Sequence, residues 1–119
     1  MSYANIIKGN ITHASAILYF TKLNYNVLLP TFDHLPYDIV LEQDGVFLTV
    51  QCKYTTSFTK EHYIIKLHRG INPKELYKDV DLFFVQTPDH TILVTNQQCE
   101  YTKSRIKLHR KYANVWDST

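Results

Sequence analysis

Residues 38–54 have the sequence DIVLEQDGVFLTVQCKY, in which two apolar segments flank Asp44-Gly45 and the second of them has two distinct alternating faces. An Asp-Gly pair between two such segments is typical of the two-residue turn of a β-hairpin. We therefore predict two antiparallel strands, over residues 38–42 and 46–54. Such a hairpin fixes which residues of the two strands lie side by side.

The hairpin predicts a cluster of polar side chains at its open end. Gln51 and Lys53 are two residues apart and share one face of the second strand, whereas Cys52 points to the other face. Asp38 begins the first strand, and the turn brings it beside the end of the second. A carboxylate, an amide and an ammonium group therefore converge at one end of the sheet.

The remaining chain predicts a helix and further strands. The helix covers residues 10–23, and its apolar stripe consists of Ile11, Ala14, Ile17, Leu18 and Phe20. Strands are predicted over residues 25–29, 61–69, 80–86 and 91–95, with a polar loop over 55–60. Residues 97–112 show no clear period, and we expect a short helix with an irregular tail. This order predicts an α/β (α+β) fold with one mixed β-sheet and an N-terminal helix.

Length and composition limit the class of protein. The 119 residues, 45% hydrophobic and 20% charged, predict a single globular domain over residues 1–119. Three glycines leave no Gly-rich phosphate loop, so we expect no nucleotide cofactor. Two cysteines are too few for a disulfide framework. With no signal peptide and no long apolar run, we expect a cytoplasmic protein without a membrane span.

The net charge of +2 hides an uneven distribution of charge along the chain. Residues 1–59 contain three Lys or Arg and four acids, whereas residues 60–119 contain ten and seven. Residues 102–112 are basic and contain no acid, and residues 61–69 present a polar face on an alternating segment. Both suit contacts with nucleic-acid phosphates, although a solvated surface has the same composition. The candidate DNA-binding residues are His62, Lys66, His68, Lys103, Arg105, Lys107 and Arg110.

These motifs, in this order and spacing, resemble the PD-(D/E)xK nuclease superfamily. Asp38 at a strand start and Gln51-Cys52-Lys53 at a hairpin end are similar to the family's Asp and Glu-x-Lys. The segment Lys8-Gly9-Asn10-Ile11 and residues 25–30 and 79–85 resemble the branch with archaeal Holliday-junction resolvases and small intron- or phage-encoded homing endonucleases. Gln51, which stands in the position of the family's Glu, makes the motif similar to that of the homing endonucleases in particular. The resemblance covers a core of about residues 8–95, followed by a basic C-terminal segment, about 97–119.

The resemblance implies metal-dependent hydrolysis of a DNA phosphodiester. Asp38, Gln51 and the carbonyl of Cys52 would hold Mg²⁺, for which Mn²⁺ can substitute, since hard cations prefer oxygen ligands. Lys53 would steady the attacking water or the phosphate, where negative charge develops. Because Gln51 is neutral, we expect weaker metal binding than with Glu.

A second departure from the family pattern concerns the helix. Many relatives carry a Glu four residues after the Gly that corresponds to Gly9, and here that residue is His13. As a catalytic residue, His13 could bind the metal, orient a water or contact a phosphate. The alternative is a histidine that packs on the helix surface.

The resemblance also implies partners and leaves alternatives open. We expect double-stranded DNA as the substrate, and a homodimer or homotetramer, because one site per chain cuts one strand. One alternative is a Holliday-junction resolvase, which recognises branched DNA. Another is a catalytically weak DNA-binding protein on the same fold.

Overall fold

The computed structural model describes residues 3–32 and 34–113, so the end of the basic C-terminal segment, residues 114–119, lies outside the described residues. In chain order the elements are α1 (Tyr3–Lys22), β1 (Asn26–Leu28), β2 (Ile39–Gln43), β3 (Val46–Tyr54), β4 (Ser57–Phe58), β5 (His62–Lys66), α2 (Pro73–Leu76), β6 (Leu82–Gln86), β7 (Thr91–Thr95), β8 (Glu100–Thr102) and β9 (Arg105–His109). Single 3₁₀ turns, Asn96–Gln98 and Arg110–Tyr112, follow β7 and β9. The described helices are too short or too polar to span a lipid bilayer.

The strands form two sheets. The first is five-stranded, in the order β1-β2-β3-β6-β7; β3 and β6 are parallel, and the other neighbours are antiparallel. The second is four-stranded and antiparallel, in the order β4-β5-β9-β8. The predicted fold class, with a mixed sheet and an N-terminal helix, is confirmed, and β3 and β7 have the predicted bounds. The second sheet was not predicted.

The second sheet contains segments for which we expected loop, helix or tail. In β9, Ile106 and Leu108 are fully buried, and the residues on either side of them are polar, which is the period of a strand. The partner strand β5 is distant in the sequence, since Lys66 pairs with Arg105. No local turn joins these two strands, so the sequence holds no hairpin pattern that would reveal their pairing.

Helix α1 differs from the prediction in its start and in its buried stripe. It begins at Tyr3 and buries Thr12, Ala16 and Phe20, whereas Ile11 and Leu18 are 52% and 57% exposed. Thr12 can be buried because its hydroxyl donates to the carbonyl of Lys8 at 2.9 Å. The small side chain of Ala16 lets the helix approach the sheet closely.

Two apolar clusters lie on opposite faces of the first sheet. One packs α1 on the sheet and includes Val50 and Phe84, with Cys52 at its edge. The other packs the second sheet on the opposite face and includes Phe83 and Val85. Since register partners share a face, Gln51 beside Phe83 and Lys53 beside Val85 point away from α1. Cys52 points toward α1, as the alternation predicts.

Candidate active site

Asp38 is held against β3 at the open end of the hairpin. Its backbone N–H donates to the carbonyl of Val50 at 2.9 Å, and its Oδ2 accepts from the N–H of Cys52 at 2.9 Å. At the other end, Asp44 and Gly45 have φ angles of 54° and 81°. Positive φ at both residues is what this two-residue turn requires. The hairpin thus places the Asp38 carboxylate beside the Gln51-Cys52-Lys53 segment.

Gln51 carries a buried polar atom with no partner among the described residues. Only 9% of the residue is exposed, and its Oε1 is buried and accepts no hydrogen bond from the described chain. A buried acceptor left unpaired costs about 1–3 kcal/mol. A divalent cation would satisfy this oxygen, because Mg²⁺ and Ca²⁺ accept amide and carbonyl oxygens as ligands.

Lys53 lies over an aromatic ring in the second apolar cluster. Its Nζ is 5.5 Å from the ring centroid of Tyr77, a residue that is 4% exposed. Asn96 fixes the Tyr77 segment, since its Nδ2 donates to the carbonyls of Tyr77 and Val80 at 2.8 and 2.7 Å. A cation over an aromatic face gains about 0.5–1 kcal/mol at a partly exposed site. The ammonium group therefore has a defined position at the end of β3.

Oxygen atoms at and beside Asp38 are candidates for holding a metal ion. Asp38 and Gln51 offer side-chain oxygens, and Cys52 offers a backbone carbonyl. In the described part of the chain, no three His, Cys, Asp or Glu side chains lie close enough together to hold a metal ion. The residues fit a cation that accepts hard, partly neutral ligands and keeps several waters, as Mg²⁺ does.

Neither cysteine has the surroundings of a nucleophile. Burial, together with the nearby Asp38 carboxylate, raises the pKa of the Cys52 thiol well above its ordinary value. Burial also raises the pKa of Cys99, to about 12. Both side chains stay protonated near neutral pH, and a thiol is a poor nucleophile. The contribution of Cys52 to the site is its backbone.

His13 lies on α1, on the other side of the first sheet's central strands from Gln51. Its side chain is half-buried, and its Nε2 is buried and has no hydrogen-bond partner among the described residues. Hydrogen bonds within the described chain do not join it to Asp38, Gln51 or Lys53. The structure thus leaves His13 outside the hydrogen-bonded part of the site.

Three adjoining cavities surround Lys66. One, of about 690 Å³, lies between the N-terminal half of α1 and the end of β3, and Lys53 and Lys66 both line it. Another, of about 410 Å³, is lined by the same two lysines and by His68. The third, of about 840 Å³, is lined by Lys66, Lys103 and Arg105 among others. Four of the predicted DNA-binding residues thus lie in or beside the cavities that contain Lys53.

The other three predicted DNA-binding residues have partners on the second sheet. His62 Nε2 lies 2.7 Å from Glu100 Oε2, and this hydrogen bond lowers the pKa of Glu100 below its ordinary value. Lys107 is the register partner of Glu100. The guanidinium carbon of Arg110 lies 4.6 Å from the ring centroid of Tyr63. These residues lie away from the three cavities.

Three residues in or beside these cavities were not predicted from the sequence. Arg69 and Lys74 line the third cavity, and Tyr77 lies under Lys53. The sequence pattern that could have indicated them is the turn Gly70-Ile71-Asn72-Pro73, which contains no acid and has Arg69 before it and Lys74 after it. A turn between two basic residues brings both positive charges to the same part of the surface.

A family model described as PD-(D/E)XK endonuclease matches residues 5–114. The chain belongs to this family of endonucleases, and the resemblance drawn from its motifs is confirmed. Among curated protein sequences, none is significantly similar to the chain.

Several solved structures share the fold, and two of them are a homing endonuclease and a Holliday junction resolvase. The bacterial homing endonuclease I-Ssp6803I is 24% identical, with a TM-score of 0.67 over 92% of this chain and 86% of that chain. The Holliday junction resolvase Hjc from the archaeon Archaeoglobus fulgidus is 14% identical, with a TM-score of 0.63 over 88% of this chain and 86% of that chain. At these identities the likeness establishes the architecture of the chain.

Proposed function

We propose that the chain is a metal-dependent endonuclease that hydrolyses phosphodiester bonds at a specific site in double-stranded DNA. The observation that carries the proposal is the Asp38 carboxylate held beside the Gln51-Cys52-Lys53 segment, in which the buried Oε1 of Gln51 has no partner among the described residues. The Asp38 Oδ2 is held at 2.9 Å from the Cys52 amide, next to Gln51 in the chain. Family membership and the fold shared with a homing endonuclease support this function.

Asp38, Gln51 and the carbonyl of Cys52 would hold Mg²⁺, with Mn²⁺ as a substitute. The cation, when bound, would make a bound water more acidic and neutralise charge on the phosphate. Lys53 places its ammonium group where negative charge grows as water attacks the phosphorus, and this stabilises the transition state. Asp38 and Gln51 orient the reacting groups, and no side chain in this arrangement is needed as a covalent nucleophile.

The described part of the chain carries one such group of residues, so we expect that cutting both strands of a duplex takes two copies. We propose a homodimer or homotetramer, in which a two-fold axis relates pairs of sites and favours a roughly palindromic target.

Cleavage assays with different DNA substrates test the proposed function. The protein is incubated with randomised linear duplexes and with a four-way junction, in Mg²⁺ and in EDTA. We expect Mg²⁺-dependent cleavage of a subset of the linear duplexes. Preferential cutting of the junction would instead support a resolvase, the alternative favoured by the fold shared with Hjc. Binding of DNA without cleavage in Mg²⁺ would overturn the nuclease function.

Because Gln51 is neutral, its replacement by a charged residue should change the affinity of the site for Mg²⁺. Replacing Gln51 with Glu adds a second carboxylate beside Asp38. The attraction between one unit of cation charge and a carboxylate about 4 Å away is roughly 4 kcal/mol at an effective dielectric constant of about 20. We therefore expect Gln51→Glu to bind Mg²⁺ at least about tenfold more tightly, measured by isothermal titration calorimetry. The matched variant Gln51→Met, which keeps the size but lacks the oxygen, should bind more weakly. Equal affinity in all three proteins would exclude Gln51 as a ligand.

A further inference from the structure

A basic cavity lies between the β8–β9 turn and the turn that follows β5. It measures about 840 Å³, and the cations that line it are Lys66, Arg69, Lys74, Lys103 and Arg105. We propose that this cavity binds the backbone of duplex DNA at phosphates other than the one that is cleaved. The inference rests on the proposed function, and it assigns a second contact region for the same substrate.

The charge of the cavity is uncompensated within the described chain. None of its described lining residues is Asp or Glu. The ion pairs found among the described residues join His62 with Glu100 and Lys78 with Glu75, so they do not involve the cavity. Five like charges gathered on one concave surface repel one another, and this repulsion is relieved when an anion binds.

The walls of the cavity are hydrogen-bonded to each other. The carbonyl of Ser104, in the β8–β9 turn, accepts from the N–H of Leu67 at 2.8 Å. The Ser104 hydroxyl donates to the carbonyl of Ile71 at 3.1 Å. The two turns that carry Arg69, Lys74 and Lys103 are therefore fixed relative to one another before any ligand arrives. A preformed site loses less entropy on binding than a flexible one.

The position of the cavity indicates an extended ligand. Lys66 lines this cavity and also the two cavities that contain Lys53. A small anion would occupy two or three of the cations, whereas a phosphate backbone that passes Lys53 can continue past Lys66 to the β8–β9 turn. Cations that line adjoining cavities, with Lys66 common to all three, suit a polyanion better than a small ion.

The salt dependence of DNA binding tests the proposal without metal or cleavage. Binding of a mixed-sequence duplex of about 30 base pairs, roughly three helical turns, is measured in EDTA by fluorescence anisotropy. Sodium chloride is varied from about 50 to about 200 mM. The double variant Lys74→Ala/Lys103→Ala should make the slope of log K against log salt shallower by about 1.8, or about 0.9 for each lost contact. The pair Lys74→Gln/Lys103→Gln should give the same change.

The matched control is the double variant Lys22→Ala/Lys60→Ala. It removes the same charge from two exposed lysines that line none of the three cavities, and we expect the slope of the parent protein. An unchanged slope in the cavity variant, or an equal change in the control, would overturn the proposal. Because Asp38 and Lys53 are intact in all these variants, a failure here is separate from a failure of the nuclease function.

Discussion

Replacing Asp38 with Asn is expected to lower the rate of DNA cleavage in Mg²⁺ by about 10²–10³-fold or more, the usual loss when one group that stabilises charge is removed. The Asn side chain keeps an oxygen that can accept from the Cys52 N–H, now 2.9 Å from Asp38 Oδ2. The fold should therefore survive while the side chain at position 38 loses its charge. Cleavage kinetics and Mg²⁺ titration are measured on the same preparation, and metal binding should fall with the rate.

Glu42→Gln provides a matched control on the same hairpin. Glu42 lies on β2, and its carboxylate accepts from Asn26 Nδ2 at 2.7 Å and from the Gly45 N–H at 2.8 Å. These hydrogen bonds lower the pKa of Glu42, but the group lies at the opposite end of the hairpin from Gln51. We expect cleavage close to that of the parent. If Asp38→Asn cut DNA as fast as Glu42→Gln, the assignment of Asp38 would be wrong.

Replacing Lys53 with Met is expected to reduce cleavage by a similar factor, about 10²–10³-fold, through a different step. Methionine keeps an unbranched apolar side chain against the Tyr77 ring and removes the ammonium that now lies 5.5 Å from its centroid. Because Lys53 is not among the expected metal ligands, Mg²⁺ affinity should be unchanged. Single-turnover cleavage together with calorimetry separates this result from that of Asp38→Asn, in which the cleavage rate and the Mg²⁺ affinity should both fall.

Lys66→Met is the comparison for Lys53→Met. Lys66 lines the same two cavities as Lys53 but is exposed at the end of β5. We expect this variant to weaken DNA binding and raise KM, with a smaller effect on kcat than Lys53→Met. A loss of kcat as large as that of Lys53→Met would mean that the two lysines share one role.

The hairpin and the position of Asp38 beside the Gln51-Cys52-Lys53 segment could be predicted because they depend on local sequence. Asp44-Gly45 specifies the turn, alternation specifies the faces, and together they set the register. Cys52 could be placed on the opposite face for the same reason. The likeness to a known family came from short motifs along the chain, and the family model that matches residues 5–114 bears it out.

The second sheet and the basic cavity could not be predicted in the same way, because they depend on contacts between distant segments. The pairing of Lys66 with Arg105 joins strands that no turn connects. The cavity gathers Arg69 and Lys74 from the two ends of one turn and Lys103 from another, and neither turn carries enough charges to be distinctive. The buried stripe of α1 was missed because Thr12 is polar by type but satisfied by its own helix.

Three of the four sheet edges are formed by very short strands. β1 has three residues, β4 two and β8 three, whereas β7, the remaining edge, has five. A short edge leaves few free N–H and C=O groups for another chain to pair with. Pro30 lies shortly after β1 and has no N–H to extend that edge. The shortness of these edge strands therefore limits edge-to-edge pairing with another chain.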